Sequence, residues 1–169
     1  RPPQPVGVAT IVCEGALLAV EFPNPREATV DGIVALGGTL NAETLLAAYR
    51  KGIFPWPHPG YPMLWFSPGE RGVIDFSDFH VSRSLQKFRR SSHYRLTRDL
   101  AFEEVMRGCQ AQKRPGQDGT WILDEMIPGY LELHQQGYAM SVECWDGAEL
   151  VGGFYGVLLP EKKYFSGES

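Results

Sequence analysis

Cysteine is scarce in this sequence. Cys13, Cys109 and Cys144 are odd in number, widely spaced and outside any Cys-x-x-Cys pattern, so neither a disulfide framework nor a zinc site is expected, and a reducing compartment fits. Long apolar runs are missing too. The stretch 11–20 is broken by Glu14 and lacks the layout of a signal peptide, so no membrane association and a cytoplasmic location are expected. There is no excess of positive charge. Sixteen basic residues against 20 acidic give a net charge of −4, which excludes a protein that is basic all over and leaves room for a local basic patch. Acid is what residues 82–98 lack: Arg83, Lys87, Arg89, Arg90, Arg95 and Arg98 occur there with no Asp or Glu. With 43% hydrophobic and 21% charged residues in 169, the chain can bury a core in one domain, or in one domain with a small appendage.

Proline and aromatic residues are instead concentrated. Residues 49–68 hold five of the thirteen prolines, two of the four tryptophans and six aromatic residues in all. Proline fixes φ and removes a backbone donor, so this stretch is expected to be neither a helix interior nor a central strand. A stiff extended arm could present Trp56 to a planar ligand such as a nucleobase at low entropic cost. The plainer alternative is a proline-rich cover whose rings pack onto the body.

Local signals place this arm between regular elements. Residues 1–25 read as irregular. After the short apolar run 32–40, Asn41 is a fitting N-cap for a helix through Lys51, with Leu40 and Leu45 as its hydrophobic staple and Gly52 as its terminator. A strand through Val73 and Ile74 leads to Ser82, the cap of a second helix with Leu85 and Phe88 on its apolar side. Arg83, Lys87 and Arg90 recur on the other side as a basic stripe. Unrelieved by acid, the stripe suits phosphate; a solvated face is the alternative. A strand at 94–97 precedes Asp99, the expected cap of a third helix with Phe102, Val105, Met106 and Cys109 facing the core. A polar loop at 110–119 leads to a fourth helix begun by Asp124, with Ile127, Tyr130, Leu131 and His134 on one face, Pro128 in its first turn and Gly137 at its end. Residues 139–145 and 149–159 form a hairpin about a type I′ turn at Asp146-Gly147, and the Gly152-Gly153 pair marks a bulge or a close approach. A further strand begins at 164–169.

Taken together, these strings resemble the leucyl/phenylalanyl-tRNA–protein transferases over about residues 22–169. The resemblance rests on Leu36-Gly37-Gly38, Ala48-Tyr49, Gly52-Ile53-Phe54-Pro55-Trp56, Leu64-Trp65 with Ser67-Pro68, and His80 with Ser82-Arg83-Ser84. It continues through Gly119-Thr120-Trp121-Ile122, Ser141-Val142-Glu143, Leu150-Val151-Gly152-Gly153 with Tyr155-Gly156, and Gly167-Glu168-Ser169. The family's order and near spacing are kept. Departures are Thr39 for an acid, Met140 for a frequent histidine and Phe66 for a second tryptophan.

The resemblance implies an α+β fold: a small N-terminal domain, here 1–68, followed by the first half of an N-acetyltransferase-like (GNAT) domain, here 69–169. It implies transfer of Leu or Phe from aminoacyl-tRNA to proteins with N-terminal Arg or Lys, which marks them for N-end rule degradation. No cofactor and no metal are expected, and the protein is expected to be a monomer. By position, Trp56 and Trp121 match the aminoacyl-adenosine site, and Phe154, Phe165 and Glu168 match the side-chain pocket. Arg83, Lys87, Arg89 and Arg90 fall in the region expected to touch tRNA. An apolar slot of this kind accepts Leu or Phe and rejects charged side chains.

No catalytic residue is assigned apart from a contribution by Glu168, because nothing here matches the family's Asp and Gln pair, expected beyond Ser169. With Arg1 in first place and a strand just begun at Ser169, one or both ends are expected not to be native termini, and this chain by itself is expected to be inactive. Two other readings compete: a non-catalytic tRNA- or RNA-binding module, and an acyl-CoA-dependent N-acetyltransferase. The latter lacks the expected pyrophosphate loop.

Overall fold

Short apolar strings between turn residues build the first of two sheets. The computed structural model describes residues 8–11, 20–113 and 120–169. Strands β1 (Ala9–Ile11), β2 (Ile33–Gly37), β3 (Phe54–Pro55) and β4 (Leu64–Phe66) lie in the order β1-β2-β4-β3, with β1 parallel to β2 and the other pairs antiparallel. The expectation that residues 49–68 hold no central strand is therefore corrected. The prolines flank Leu64-Trp65-Phe66 without interrupting it, so β4 keeps its backbone donors and runs between β2 and β3, while Pro55 sits at the sheet edge. Trp65 is fully buried, meets Phe22 edge-on at 4.8 Å and donates its indole N–H to the Gly37 carbonyl at 2.8 Å.

Helix α1 (Ala42–Arg50) joins the two halves of this sheet. Asn41 caps it by accepting the Thr44 N–H at 2.9 Å, and Gly52 ends it with φ +73°. The chain then enters β3 directly. Helix α2 (Arg83–Ser91) is capped by Ser82, which accepts the Leu85 N–H, yet it has no buried residue. Its expected core side is not formed: Leu85 and Phe88 are 54% and 56% exposed. The strand expected through Val73 and Ile74 is also absent. Residues 67–82 are irregular and Val73 and Ile74 are exposed, because the two apolar residues stand alone among Gly, Pro and acid.

The second sheet is wholly antiparallel, in the order β5 (Arg95–Arg98), β6 (Ala139–Asp146), β7 (Glu149–Leu159) and β8 (Tyr164–Gly167). Asp146 pairs with Glu149, so the hairpin loop is Gly147-Ala148. Only Gly147 has positive φ (+58°), as in a type II′ rather than the expected type I′ turn. The register shift opposite Trp145 makes a bulge just before Gly152-Gly153, and a Cβ on Gly153 would lie 2.9 Å from Val105, so this glycine lets helix α3 approach the sheet.

Helix α3 (Phe102–Ala111) buries Phe102, Val105 and Met106, with Cys109 half-buried against them. Its expected cap, Asp99, is elsewhere. Asp99 adopts φ +59° and accepts the Ser141 N–H at 2.9 Å, while Glu143 reaches across from β6 to the Ala101 N–H. Burial pushes the Glu143 carboxyl up, but hydrogen bonds from Ser141, Thr97 and the Ala101 and Leu100 N–H groups outweigh it and hold the group below its usual range. Helix α4 (Ile127–Gln135) follows a 3-10 turn at Asp124–Met126 and buries Ile127, Tyr130 and Leu133; Leu131 and His134 are only half-buried.

One continuous core links both sheets through α1, α3 and α4. No described helix is long and apolar enough to cross a membrane. Most of the segment 1–25, Cys13, Glu14 and most of the loop 110–119, including Gly119, lie outside the described residues.

The closest helix packing is at Gly129, where an added Cβ would fall 1.9 Å from the Leu40 carbonyl oxygen and 3.0 Å from the Leu45 side chain. Gly129→Ala is expected to cost about 1–3 kcal/mol or more in denaturant unfolding. Gly108→Ala in α3 meets nothing within 4 Å and should be neutral or gain up to about 1 kcal/mol. Equal stability of the two variants would contradict the close α1–α4 contact.

Candidate aromatic cleft

The β3–β4 turn and the irregular 68–76 segment leave a gap between the first sheet and edge strand β8. This gap is a cleft of about 1070 Å³. One wall carries Phe54, Trp56 and Trp121, the opposite wall Tyr164, Phe165 and Glu168, and the 70–76 segment passes along the rim. Trp56 is 45% exposed, although its backbone is fixed by donation of its N–H to the Leu64 carbonyl at 2.9 Å. Its ring centroid lies 6.4 Å from that of Trp121 and 6.1 Å from that of Phe54. The rings of the aromatic arm divide between the core and the cleft. Tyr49 and Trp65 are core, whereas Trp56 is held open to the cleft.

The glycines of β7 and β8 shape the opposite wall. A Cβ on Gly156 would lie 2.4 Å from the Phe165 ring, so the missing side chain lets that ring lie across β7. Phe154 stands on the same face, 43% exposed, with its ring 6.1 Å from Phe165 and nearly edge-on. Phe154 therefore flanks the cleft through Phe165 and does not line it.

Glu168 is the cleft acid whose carboxyl is pushed up. Burial pushes its carboxyl up to about 7, against the hydrogen bonds of Tyr49 and Ser166 and the positive charge of Arg71, which pull it down. The Tyr49 hydroxyl is also 2.7 Å from that of Tyr130. Both phenols are held well above their ordinary value, first by burial and next by the charge of Glu168. They are neutral donors. With Glu168 ionised, Tyr49 donates to it and accepts from Tyr130, so the carboxylate is anchored to the α1–α4 contact.

The structure thus brings Trp56, Trp121, Phe165 and Glu168 into one cleft. The basic stripe is not part of it. Arg83, Lys87 and Arg90 line a separate shallow groove on α2 together with Gln86 and Ser91, and Arg89 lies off that groove. Tyr49 and Arg71 are functional candidates that the sequence did not reveal. Tyr49 carries the signal of a core residue on a helix face, and Arg71 stands in a loop without periodicity. Among the described residues no three His, Cys, Asp or Glu side chains gather as metal ligands.

Because the folded carboxyl of Glu168 titrates near 7 against 4.5 for the unperturbed group, the folded state binds more protons between those values. Stability is therefore expected to fall as pH rises from about 4.5 to about 7, by no more than about 3 kcal/mol. Glu168→Gln should flatten this slope. Denaturant midpoints at pH 5 and pH 8 test it; an unchanged slope in the variant would place the proton on another group.

Comparison with known proteins bears on this geometry directly. Residues 73–169 match the family model for leucyl/phenylalanyl-tRNA protein transferase, and residues 38–69 match that of its N-terminal domain. A leucyl/phenylalanyl-tRNA–protein transferase from Anaeromyxobacter sp. (strain Fw109-5) is 51% identical over 140 residues, covering 83% of this chain and 60% of the relative. Relatives of the same name from Cellvibrio japonicus and Enterobacter sp. (strain 638) are 50% and 47% identical, covering 89% of this chain and 64% and 63% of their own lengths. The chain thus spans about 60% of the length of the first of these relatives. The cleft residues Phe54, Pro55, Trp56 and Pro68 fall in the N-terminal match and those from Val73 onward in the larger one, with Glu70, Arg71 and Gly72 between the two, and the chain belongs to the leucyl/phenylalanyl-tRNA–protein transferase family.

Proposed function

We propose that the whole protein transfers Leu or Phe from aminoacyl-tRNA to the α-amino group of proteins with N-terminal Arg or Lys. The observation that carries this is the pairing, across one cleft, of an open Trp56–Trp121 wall with the apolar Phe165 and the anchored Glu168. A flat base stacks on the tryptophans at a gain of about 1–3 kcal/mol, and an adjoining apolar side chain rests against Phe165, with Phe154 behind it. The acceptor amine attacks the carbonyl carbon of the tRNA ester. The new C–N bond forms, the ester C–O bond breaks, and the tRNA 3′ oxygen leaves with a proton. The ester is already activated, so the reaction calls for no cofactor or metal.

Glu168, poised near 7, is suited to hold an amine or exchange a proton with it. Substrate ammonium beside it would lower its value and favour the carboxylate. The α2 groove with Arg83, Lys87 and Arg90 serves the acceptor stem by phosphate contact, with Arg89 at its margin. In this reading the chain divides into an N-terminal unit, 1–68, and a GNAT-like unit, 69–169. The two matched family models and the long β6–β7 hairpin backed by α3 and α4 support that division. The protein acts as a monomer in the cytoplasm, a setting suited to its sparse cysteines.

The direct assay supplies charged tRNA bearing labelled leucine and an Arg-initiated acceptor to the full-length protein; absence of labelled product beside an active relative contradicts the proposal. Trp56→Ala and Trp121→Ala should each weaken aminoacyl-adenosine binding by about 1–3 kcal/mol. Neutralising Arg83, Lys87 and Arg90 together should weaken tRNA binding and flatten its dependence on salt, by a log–log slope of about 0.9 at most for each phosphate that is no longer neutralised. Unchanged binding and slope would leave α2 a solvated face.

A further inference from the structure

Arg71 lies in the loop that follows Ser67-Pro68 and lines the same cleft. Its guanidinium sits 5.2 Å from the centroid of the Phe54 ring, and its Nη2 donates to the Gly52 carbonyl and, at 3.4 Å, to the Ser67 hydroxyl. Those acceptors are neutral. Among the described residues no carboxylate lies within ion-pair distance of Arg71, and its Nε and Nη1 have no protein hydrogen-bond partner. It acts electrostatically on Glu168, which lines the same cleft.

We propose that Arg71 binds a phosphodiester of the nucleic-acid 3′ end whose terminal base stacks on Trp56 and Trp121. The proposal rests on the functional reading above and assigns a new residue to that site. Phe54 is the ring beneath Arg71 and is also the neighbour of Trp56, at 6.1 Å, so the guanidinium stands one ring away from the stacking surface. A nucleotide has the same layout, with its base and phosphate separated by one ribose. Guanidinium is a weakly hydrated cation that stacks on a ring with its face while offering N–H groups at its edge, and the Nε and Nη1 groups left free by Gly52 and Ser67 are donors that phosphate oxygens accept. Fixing by Gly52 and Ser67 reduces the entropy lost on binding.

The other charges at the cleft do not displace this role. The Asp75 carboxylate is turned into its own loop, where it accepts the Ser77 N–H and hydroxyl at 2.9 and 2.8 Å. Glu70 lines the rim without an ion pair among the described residues, Glu168 is engaged by Tyr49 and Ser166, and Lys163 adds a second cation to the lining.

The test compares two probes: the phenylalanyl amide of 3′-amino-3′-deoxyadenosine, which has no phosphate, and the same compound carrying a 5′-monophosphate. In the unmodified protein the phosphate should tighten binding by about 10- to 100-fold. Arg71→Ala should abolish that gain while leaving the affinity for the phosphate-free probe within about twofold, and Arg71→Lys should keep part of it. Three results would overturn the proposal: the gain survives in Arg71→Ala; both probes weaken equally in Arg71→Ala and Arg71→Lys, which would make Arg71 a strut of the arm; or the phosphate adds nothing in the unmodified protein. Loss of binding on Trp56→Ala with both probes separates failure at Arg71 from failure of the stacking site. If neither probe binds, the stacking site and the Arg71 proposal fall together.

Discussion

The hydroxyl of Tyr49 is the contact through which the two sheets and the cleft are tied to one another. It is 2.7 Å from the Tyr130 hydroxyl, which joins α1 to α4, and it is hydrogen-bonded to Glu168 at the end of β8. Both phenols are buried, and leaving one hydroxyl unsatisfied there costs about 1–3 kcal/mol. Gly129 lets α4 approach the Leu40 carbonyl closely enough for the bond to form. Closer to the surface, Gly52 turns the chain from the end of α1 into β3, so the helix that carries Tyr49 also sets the position of Trp56. Core packing and the Glu168 side of the cleft therefore share one hydrogen-bonded chain, and the Trp56 side is joined to it through the backbone of α1 and β3.

That arrangement explains why a carboxyl with an unusual affinity for protons occurs at the sheet edge. Glu168 loses hydration by its position against the core, and two hydrogen bonds and the Arg71 charge return only part of that loss. The aromatic wall opposite needs no such compensation. Trp56, Phe54 and Phe66 brace one another with centroids 6.1 to 6.5 Å apart, which holds Trp56 at the surface with nearly half of it accessible.

Local chemistry was legible in the sequence where it was self-contained. Asn41, Ser82, Gly52 and Gly137 announce helix ends because a cap acts within one turn, and the alternation through 139–159 announces the long hairpin. Trp56 stood out as a stacking candidate from its proline-rich surroundings, whereas Trp121, Phe165 and Glu168 could be named as site residues only by resemblance, since nothing in their spacing brings them to Trp56. The misreadings share a cause. Glu143 meets the first turn of α3 from 42 residues away, and Asp99 serves Ser141 from the same distance, so no local pattern could assign the cap. Leu85, Phe88, Val73 and Ile74 look like core by residue type, yet burial depends on a partner surface that type does not specify. Arg71 and Tyr49 were missed because a loop cation and a core phenol meet their partners, Phe54 for one and Tyr130 and Glu168 for the other, only in the tertiary fold.

The central claim is that the cleft between the Trp56–Trp121 wall and β8 receives the aminoacyl end of tRNA. A structure of the protein with a non-hydrolysable phenylalanyl-adenosine amide tests it most directly. The adenine is expected within about 3.5–4 Å of the Trp56 or Trp121 ring, and the phenyl group against Phe165. An adenine bound on the α2 groove, or a phenyl group directed away from β8, would contradict it.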